Sequence, residues 1–331
     1  MKAVVMTASG PPEVLQLQTL PEPAIRSDTE LLVRLRAAGV NPIDTKLRGR
    51  GPLIDKSPTV LGCDGAGVVE AVGAAVDRFA VGDEVYFCSG GLGGPNGNYA
   101  EYAAIDQICA AKKPASLNFA EAAAAPLVLI TAWEALYDRA RLQAGQTALV
   151  HAGAGGVGHV AVQLAKLQGA EVCTTVGSEE KANFVRQLGV DLPILYKQRD
   201  FVTEVLNWTD GDGVDVAFDT VGGDTFFQSC AAVKFYGDIV TLLQPASDGD
   251  LKVARKRNLR IGLELMLTPM LEDLPDERLA QGRILQQCAR LIDKGDLKIH
   301  LNRTFPLEEA ATAHALLQSG SMLGKIALIV A

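Results

Sequence analysis

The sequence predicts an α/β protein of two domains, one rich in β-strands and one doubly wound around a parallel sheet. Three observations carry this prediction: a length of 331 residues, short apolar runs divided by turn residues up to about residue 111, and strand-then-helix units after residue 121. A chain of this length can bury two hydrophobic cores. Its hydrophobic content of 48% is usual for a globular protein.

The N-terminal region carries the β-rich pattern. Its apolar runs, LLVRLRAAGV, AGVVEAVG, DEVYF and YAEYAAI, are separated by Gly, Pro, Asn and Asp. This rhythm is typical of a partly closed barrel rather than of helices. One glycine-rich stretch, residues 89–97, is predicted to be a mobile loop that either shapes a substrate pocket or has no direct role.

Alternating strands and helices follow. Strands are predicted at 147–152, 170–176, 193–196, 214–221, 237–243 and 261–267, and helices at 156–168, 179–188, 201–208 and after Gly223. Apolar, β-branched strands in this alternation predict a parallel sheet covered on both faces. A later helix (278–294) leads to a last strand (324–330) that should return to the first domain. The predicted domains are therefore 1–124 with 268–331, and 125–267.

Composition argues against several classes of function. The net charge of −8 does not favour nucleic-acid binding. The apolar stretch at the N-terminus is too short for a signal-peptide core, and the longest apolar region, 122–133, is too short to span a bilayer. The cysteines form no CxxC pair and the histidines no familiar ligand spacing. We expect a soluble cytoplasmic protein without metal, nucleic-acid or membrane partners.

The strongest local motif is Gly153-x-Gly155-x-x-Gly158, which directly follows a predicted strand and opens a predicted helix. Glycines permit a tight turn and close backbone approach, and the N–H groups at a helix N-terminus bind a pyrophosphate. The sequence therefore predicts a Rossmann domain with a dinucleotide at this turn. The alternative is a glycine-rich turn that only closes a strand–helix–strand unit.

The end of the second Rossmann strand favours NADPH as the cofactor. Enzymes that use NAD usually place Asp or Glu there to bind the ribose 2′-OH. Here the strand ends at Gly177 and Ser178 without an acid, and Ser178 and Lys181 are suited to a 2′-phosphate. Glu179 and Glu180 argue against this, although acids at a helix start also have a purely electrostatic role.

A family resemblance emerges from six segments: 37–49, 60–73, 81–85, 98–105, 151–166 and 219–223. Together they resemble the medium-chain dehydrogenase/reductase superfamily, in its quinone oxidoreductase branch, which includes zeta-crystallin. The resemblance implies a GroES-like catalytic domain in two chain segments, a Rossmann domain between them, and a cleft for cofactor and substrate at their junction. It also implies a homodimer in which the edge strand 261–267 pairs with its copy.

The resemblance also implies roles for individual residues. Asn41 and Thr131 would lie near the nicotinamide. The resemblance also places Gly156 and Val157 at the pyrophosphate, Lys181 and Tyr196 at the 2′-phosphate, and Val221, Leu242 and Leu243 at strand ends beside the dinucleotide. These residues join those that the motif itself indicates for the cofactor: Gly153, Ala154, Gly155 and Gly158 in the glycine turn, and Gly177 and Ser178 at the end of the second strand. An Arg that contacts the 2′-phosphate in some members is Gly320 here.

The zinc ligands of the metal-dependent members are largely replaced. Asn41 stands where those enzymes have Cys, Cys63-Asp64 where they have His-Glu, and the third ligand falls near Leu127. One remaining thiol cannot hold a catalytic zinc ion, which needs three protein ligands and an open position. The resemblance therefore implies a zinc-independent enzyme.

The expected activity is hydride transfer from NADPH to a quinone or a small α,β-unsaturated carbonyl compound. Asn41 is the candidate donor to the acceptor's carbonyl oxygen, and Thr131 would hold the cofactor. Asn41 has an equally good structural interpretation as the N-cap before Pro42, with Asp44 as a helix-start residue. The alternatives are an enoyl-thioester or alkenal reductase of the same fold and a non-catalytic NADPH-binding protein.

Overall fold

The computed structural model describes residues 1–54, 56–320 and 322–331. These residues form two compact units. The first unit combines Met1–Leu127 with Leu267–Ala331, and the second is Val128–Met266.

The two units contain strands and helices in the following chain order. The strands are β1 (Lys2–Met6), β2 (Leu15–Thr19), β3 (Glu30–Val40), β4 (Thr59–Val60), β5 (Asp64–Val72), β6 (Glu84–Cys88), β7 (Tyr102–Asp106), β8 (Ala110–Lys112), β9 (Thr147–Val150), β10 (Glu171–Val176), β11 (Leu192–Leu195), β12 (Val214–Asp219), β13 (Val233–Thr241), β14 (Arg260–Leu263), β15 (Leu301–Pro306) and β16 (Lys325–Ile329). The α-helices are α1 (Pro42–Arg50), α2 (Phe119–Ala123), α3 (Pro126–Trp133), α4 (Gly156–Leu167), α5 (Glu179–Gln187), α6 (Phe201–Trp208), α7 (Asp224–Ala232), α8 (Lys252–Lys256), α9 (Thr268–Leu271), α10 (Pro275–Asp293) and α11 (Ala310–Gln318). None of the helices in the described residues is both long and apolar enough to cross a membrane.

Strand β3 organises the first unit. It pairs antiparallel with β5, β7 and β16, within a seven-stranded sheet of order β15-β16-β3-β5-β6-β8 that β7 joins through β3. Leu31, Val33 and Leu35 on β3 are almost completely buried, as expected where alternate side chains face a core. A smaller sheet has the order β2-β1-β4. The predicted β-rich domain is confirmed.

The last strand brings the C-terminal segment to the sheet of the N-terminal segment. Ile326 of β16 pairs antiparallel with Val40 of β3. Lys325, the first residue of β16, therefore lies beside the end of β3, where Asn41 follows. Two residues that are far apart in sequence become neighbours through this register.

Helix α1 begins directly after β3. Asn41 has an extended backbone and serves as the N-cap, and Pro42 occupies the first helical position. The main-chain N–H of Asn41 donates to Asp44 Oδ2 at 2.7 Å. These are the features that start a helix: proline fixes a helical φ, and the acid at the third position satisfies the cap.

The second unit has a fully parallel sheet of six strands, in the order β11-β10-β9-β12-β13-β14. Ala148, Leu149 and Val150 on the central strand β9 are completely buried, which explains the continuous apolar run in the sequence. The strand order reverses between β9 and β12. The predicted doubly wound Rossmann fold is confirmed, and ligands of such folds bind at the carboxyl ends of the strands near the reversal.

The glycine-rich stretch 89–97 is a loop, as predicted, and it is closely packed against neighbouring backbone. Most of its residues are buried, and the N–H of Ile54 donates to the carbonyl oxygen of Leu92 at 3.0 Å. A Cβ atom on Gly93 would lie 2.0 Å from the carbonyl oxygen of Ile54. The glycines in this stretch permit close backbone packing, a use that composition alone does not distinguish from mobility.

Strand β14 is shorter than the predicted strand 261–267. It ends at Leu263, and the next residue, Glu264, is 4% exposed and forms an ion pair with Arg139 at 2.9 Å. The chain then enters helix α9, whose N-cap is Leu267 and whose first turn contains Pro269, so the strand does not continue to residue 267.

Candidate functional site

The predicted glycine motif forms the turn between β9 and α4. Gly155 is the N-cap of α4 and has an extended backbone. A Cβ atom on Gly153 would lie 2.1 Å from Thr174 Oγ1, and one on Gly158 would lie 2.2 Å from the carbonyl oxygen of Ala152. These distances leave no room for a side chain, so the tight turn depends on glycine at both positions.

The start of α4 provides donors for a phosphate group. Gly156 and Val157 lie in its first turn, where main-chain N–H groups have no acceptor inside the helix. Both residues are partly exposed, whereas Ala154 is buried. A dinucleotide pyrophosphate fits this cradle because small residues let it approach the backbone and the helix N-terminus favours negative charge.

The turn after β10 is flanked by a tyrosine and a lysine. A Cβ atom on Gly177 would lie 3.4 Å from Tyr196 Oη and 3.6 Å from Lys197 Cε. Ser178 is the N-cap of α5, and its Oγ accepts from the N–H of Lys181 at 3.3 Å. The structure therefore brings the predicted residues Gly177, Ser178 and Tyr196 together. It adds the exposed Lys197, which sequence analysis missed.

The acids at the start of α5 have a local explanation. Glu179 Oε1 lies 3.2 Å from Arg186 Nη1, and both side chains are exposed. An exposed pair of this kind contributes little stability. It nevertheless gives the Glu179 carboxylate a partner on the same helix, which is a reason for this acid other than cofactor recognition.

Asp219 organises the strand ends that carry the other predicted cofactor residues. Its Oδ1 accepts from the N–H groups of Val221 and the following glycine, both at 2.9 Å, and its Oδ2 accepts from Thr241 Oγ1 at 2.9 Å. Thr241 Oγ1 also accepts from the N–H of Leu243 at 3.3 Å. One buried carboxylate thus orders Val221 and links the end of β12 to Thr241 and, through its hydroxyl, to Leu243. The N–H of Leu242 donates to the main-chain carbonyl oxygen of Asp219 at 3.0 Å.

Thr131 lies in the apolar helix α3 and is 5% exposed. Its neighbours Ile130 and Ala132 are also buried. The structure places this hydroxyl in the second unit, with the other predicted cofactor residues.

Asn41 lies in the first unit, fully buried and hydrogen-bonded at both ends of its amide. Its Nδ2 donates to Asp64 Oδ2 at 2.8 Å, and its Oδ1 accepts from Lys325 Nζ. Lys325 Nζ also donates to the carbonyl oxygen of Val40 at 3.1 Å. Because an ammonium group can only donate and a carboxylate can only accept, these partners determine the orientation of the amide.

A second chain of polar contacts begins at Asp44. Its Oδ2 accepts from Tyr99 Oη at 3.1 Å, and Tyr99 Oη lies 3.0 Å from His314 Nε2. All three side chains are completely buried. Asp44 Oδ1 and His314 Nδ1 have no hydrogen-bond partner among the described residues. Asn41 joins the two sets of contacts, since its N–H binds Asp44 and its side chain binds Asp64.

Burial controls the protonation of these groups. It raises the pKa of Asp44 from 3.8 to about 7 and that of Asp64 to about 6, and Lys325 opposes both shifts. Burial also lowers the pKa of Lys325, opposed by Asp64, and lowers the pKa of His314 to about 3. At neutral pH, His314 is uncharged and Asp44 is near its midpoint.

The cysteines near this centre are thiols that resist ionisation. Cys63 and Cys88 are buried, and burial together with nearby carboxylates raises the pKa of each thiol well above its ordinary value. Thiolate, not thiol, is the form that binds zinc. Among the described residues, no group of three His, Cys, Asp or Glu side chains is arranged to hold a metal ion.

Comparison with known proteins agrees with this architecture. The alcohol dehydrogenase GroES-like domain matches residues 27–115, and the zinc-binding dehydrogenase domain matches residues 188–328. A quinone oxidoreductase of Pseudomonas aeruginosa is 35% identical, over 99% of each chain. The crystal structure of Escherichia coli quinone oxidoreductase complexed with NADPH has a TM-score of 0.88 and 29% identity over all of both chains. An NAD-dependent alcohol dehydrogenase is also similar, with a TM-score of 0.90 and 33% identity over all of both chains.

A GroES-like unit combined with a Rossmann-type unit and a glycine-rich dinucleotide turn defines a nicotinamide-dependent oxidoreductase. The full-length similarity to quinone oxidoreductases identifies the group: the chain belongs to the medium-chain dehydrogenase/reductase superfamily. The family resemblance that the sequence motifs indicated is confirmed.

Sequence analysis missed the partners that hold the predicted residues in place. In the sequence, Asp64 stands out only as the counterpart of a zinc-ligand position, and Lys325 only as part of a predicted strand. The pairing of β16 with β3 is the source of the Lys325 contact, and no local motif encodes it. Asp219, by contrast, belongs to the recognised DTVGG segment, and its position at a strand end was a usable signal.

Proposed function

We propose that this protein is an NADPH-dependent, zinc-independent oxidoreductase that transfers hydride to quinones or small α,β-unsaturated carbonyl compounds. The observation that carries the proposal is the fixed amide of Asn41, held between Asp64 and Lys325. Catalysis of this kind needs a rigid donor aimed at an oxygen atom that gains negative charge. When bound, NADPH supplies the hydride.

The second hydrogen of Asn41 Nδ2 is the proposed donor to the acceptor's oxygen. Asp64 uses one hydrogen of this group, and no described residue is bonded to the other. Because Lys325 and Asp64 hold the amide, little reorganisation is needed when charge develops. Thr131 is proposed to hold the nicotinamide end of the cofactor.

Cofactor preference is proposed to depend on the turn after β10. The turn lacks an acid, and Ser178, Lys181, Tyr196 and Lys197 offer hydroxyl and ammonium donors for a 2′-phosphate. The pyrophosphate is proposed to bind the first turn of α4. The E. coli relative complexed with NADPH supports this choice.

Independence from zinc is supported by the chemistry of the first unit. Asn41 Oδ1 accepts from Lys325, and the two oxygens of Asp64 accept from Asn41 Nδ2 and from the N–H of Leu127. The Cys63 thiol is kept neutral by burial and by the neighbouring carboxylates. Neutral thiols and an occupied carboxylate are poor ligands for zinc.

We also propose a homodimer that forms through β14. This strand is an edge of the parallel sheet, and among the described residues it pairs with β13 alone. Ile261, Leu263 and Leu265 near this edge are 42%, 69% and 55% exposed. An exposed apolar edge strand is normally covered or paired, and pairing with its own copy across a two-fold axis would satisfy the edges of both chains.

The test is oxidation of NADPH and NADH by metal-free protein with benzoquinone, a naphthoquinone, an enal, an enone and an aliphatic aldehyde. The expected result is turnover of quinones or enones with NADPH preferred and no effect of chelator. Asn41→Ala should lower kcat/KM for the acceptor by about 10²-fold, since that is the usual effect of losing one oxyanion donor.

Asn118→Ala is the matched control because Asn118 is also the N-cap of a helix with an acid at its third position. It should lose stability but retain activity. Aldehyde reduction that a chelator abolishes would contradict the zinc-independent mechanism. NADPH binding without turnover of any acceptor would contradict the enzymatic role.

A further inference from the structure

His151 directly follows β9 and precedes the glycine-rich turn, and the proposed hydride transfer gives it no role. Its ring is 1% exposed and is hydrogen-bonded at both nitrogens. Nδ1 lies 3.1 Å from Thr175 Oγ1, and Nε2 lies 2.8 Å from Ser229 Oγ. Phe201 packs edge-on against the ring at 4.9 Å between centroids. A buried imidazole with two polar partners has a defined orientation.

The direction of each hydrogen bond can be deduced from Ser229. Its Oγ lies 2.6 Å from the carbonyl oxygen of Thr225, which can only accept, so the single hydroxyl hydrogen is used there. His151 Nε2 must therefore be the donor to Ser229, and the neutral ring carries its proton on Nε2. Nδ1 is then an acceptor, and Thr175 donates its hydroxyl hydrogen to it.

The other end of this chain is the turn itself. Thr175 Oγ1 accepts from the main-chain N–H of Ala152 at 3.1 Å. The bonds therefore run in one direction, from Ala152 N–H through Thr175 and His151 to Ser229 and a carbonyl oxygen. They connect the turn after β9 with β10 and α7.

Ala152 needs such an anchor. Its φ is +50°, a left-handed conformation that is unfavourable for a residue with a Cβ atom. Its carbonyl oxygen accepts from the N–H of Gly155 at 2.8 Å, and Gly155 is the N-cap of α4. The position of Ala152 therefore controls the N–H groups that meet the pyrophosphate.

We infer that His151 is a positioning residue for the dinucleotide turn, which it holds through the Nε2-protonated tautomer and the hydroxyls of Thr175 and Ser229. This inference rests on the proposed cofactor site, although the bond chain can be tested without cofactor. Burial lowers the pKa of His151 to about 4, while Asp219 opposes this shift. The ring consequently stays neutral, and the chain intact, at physiological pH.

The first test measures the tautomer in the wild-type protein. Long-range proton–nitrogen NMR of ¹⁵N-histidine-labelled protein distinguishes the two neutral tautomers and the charged form. The His151 signal is assigned by its loss in His151→Gln. The Nε2-protonated form is expected at pH 7, and the Nδ1-protonated or the charged form would overturn the inference whatever the protein binds.

The second test compares hydroxyl variants by NADPH titration calorimetry. Thr175→Val removes the hydroxyl while keeping the shape, and should weaken NADPH binding roughly 5- to 20-fold, the usual range for losing a buried hydrogen-bonded group. Thr175→Ser keeps the hydroxyl and should bind within twofold of wild type. KM for the acceptor should change less than the affinity for NADPH.

Thr209→Val is the matched control. Thr209 Oγ1 also accepts from a main-chain N–H, that of Gly213, and donates to a carbonyl oxygen, but it lies at the end of α6. If Thr209→Val weakens NADPH binding as much as Thr175→Val does, the loss of affinity comes from general destabilisation of the fold. That result would overturn the inference. Failure of wild-type protein to bind NADPH would instead contradict the proposed function.

Discussion

Lys325 donates from Nζ to Oδ1 of Asn41, although the two residues are 284 positions apart in the chain. The contact exists because β16 pairs antiparallel with β3. Asp64 binds the other end of the same amide at 2.8 Å. The three side chains form a buried unit in which a cation and an anion are separated by an amide, and each satisfies a group that would be costly to bury alone.

Replacing Lys325 with an uncharged residue should show how strongly the fold depends on this buried unit. We expect Lys325→Met to lower the free energy of unfolding by about 3 kcal/mol, because it leaves Asp64 buried without its cation. Asp64→Asn should also destabilise the protein. The double variant should lose less than the sum of the two, and urea denaturation of all four proteins measures the coupling. Additive losses would mean that the two charges do not interact through the amide.

The sequence predicts those features of the candidate site that depend on neighbouring residues, and it does not predict those that depend on residues far apart in the chain. The glycine turn follows from a short local run, and the structure forms it between β9 and α4. The absence of an acid after β10 is likewise a local feature of the sequence, and its effect on cofactor preference stays a prediction. Asn41 was also named from the sequence. Its orientation was not, because it depends on Lys325, whose position follows from the register of β16 with β3. Long-range strand pairing leaves no local motif.

Asp44 shows a similar limit. Asn-Pro-Ile-Asp correctly predicts a helix start with an acid at the third position. The same pattern gives no sign that the carboxyl group is completely buried against Tyr99, which approaches from another part of the chain. A surface helix start and a buried one have the same local sequence, and only tertiary packing distinguishes their pKa values.

Protonation of Asp44 should make stability depend on pH. Burial raises its pKa from 3.8 to about 7, so the folded protein binds a proton that the unfolded chain releases. The stability from this group is fully present below pH 4 and is lost as pH rises through 7. Between pH 5 and pH 8 the loss amounts to roughly 3 kcal/mol. Urea denaturation at both pH values should show a smaller loss for Asp44→Asn. An identical loss in the variant would assign the pH dependence to other groups.

Gly177 is the position at which cofactor preference should be easiest to reverse. A Cβ atom there would make ordinary contacts with Tyr196 and Lys197, so a side chain fits. Gly177→Asp places a carboxylate where a 2′-phosphate is proposed to bind and where it can accept from a ribose 2′-OH. We expect the ratio of kcat/KM for NADPH over NADH to fall at least tenfold, mostly through KM. Gly177→Ala is the control for bulk alone, and an equal fall in that variant would exclude the charge as the cause.

Lys197 should contribute to NADPH preference through charge. Its Cε lies beside the Gly177 turn, and none of the described residues forms an ion pair or a hydrogen bond with it. Lys197→Gln should weaken NADPH binding about 3- to 10-fold, the effect of one partly exposed charge-assisted contact, and leave NADH binding unchanged.

Lys256→Gln, on the exposed face of α8, is the control. The difference between Lys197→Gln and wild type should shrink as salt is added. A parallel loss of NADH affinity would mean that Lys197 supports the fold of the turn instead.

Leu263 tests the proposed dimer edge. It is the most exposed large apolar residue of β14, at 69%, so Leu263→Asp should cost an isolated chain little stability. In a dimer paired along β14, two copies of the new carboxylate would lie close together near the two-fold axis. Light scattering after size exclusion should show a dimer for wild type and a monomer for Leu263→Asp, with nearly unchanged secondary structure.

Leu17→Asp, at an exposed leucine of β2 in the first unit, should remain dimeric. A wild-type monomer at micromolar concentration would remove the dimer proposal. A dimer that persists in Leu263→Asp would place the interface on another surface.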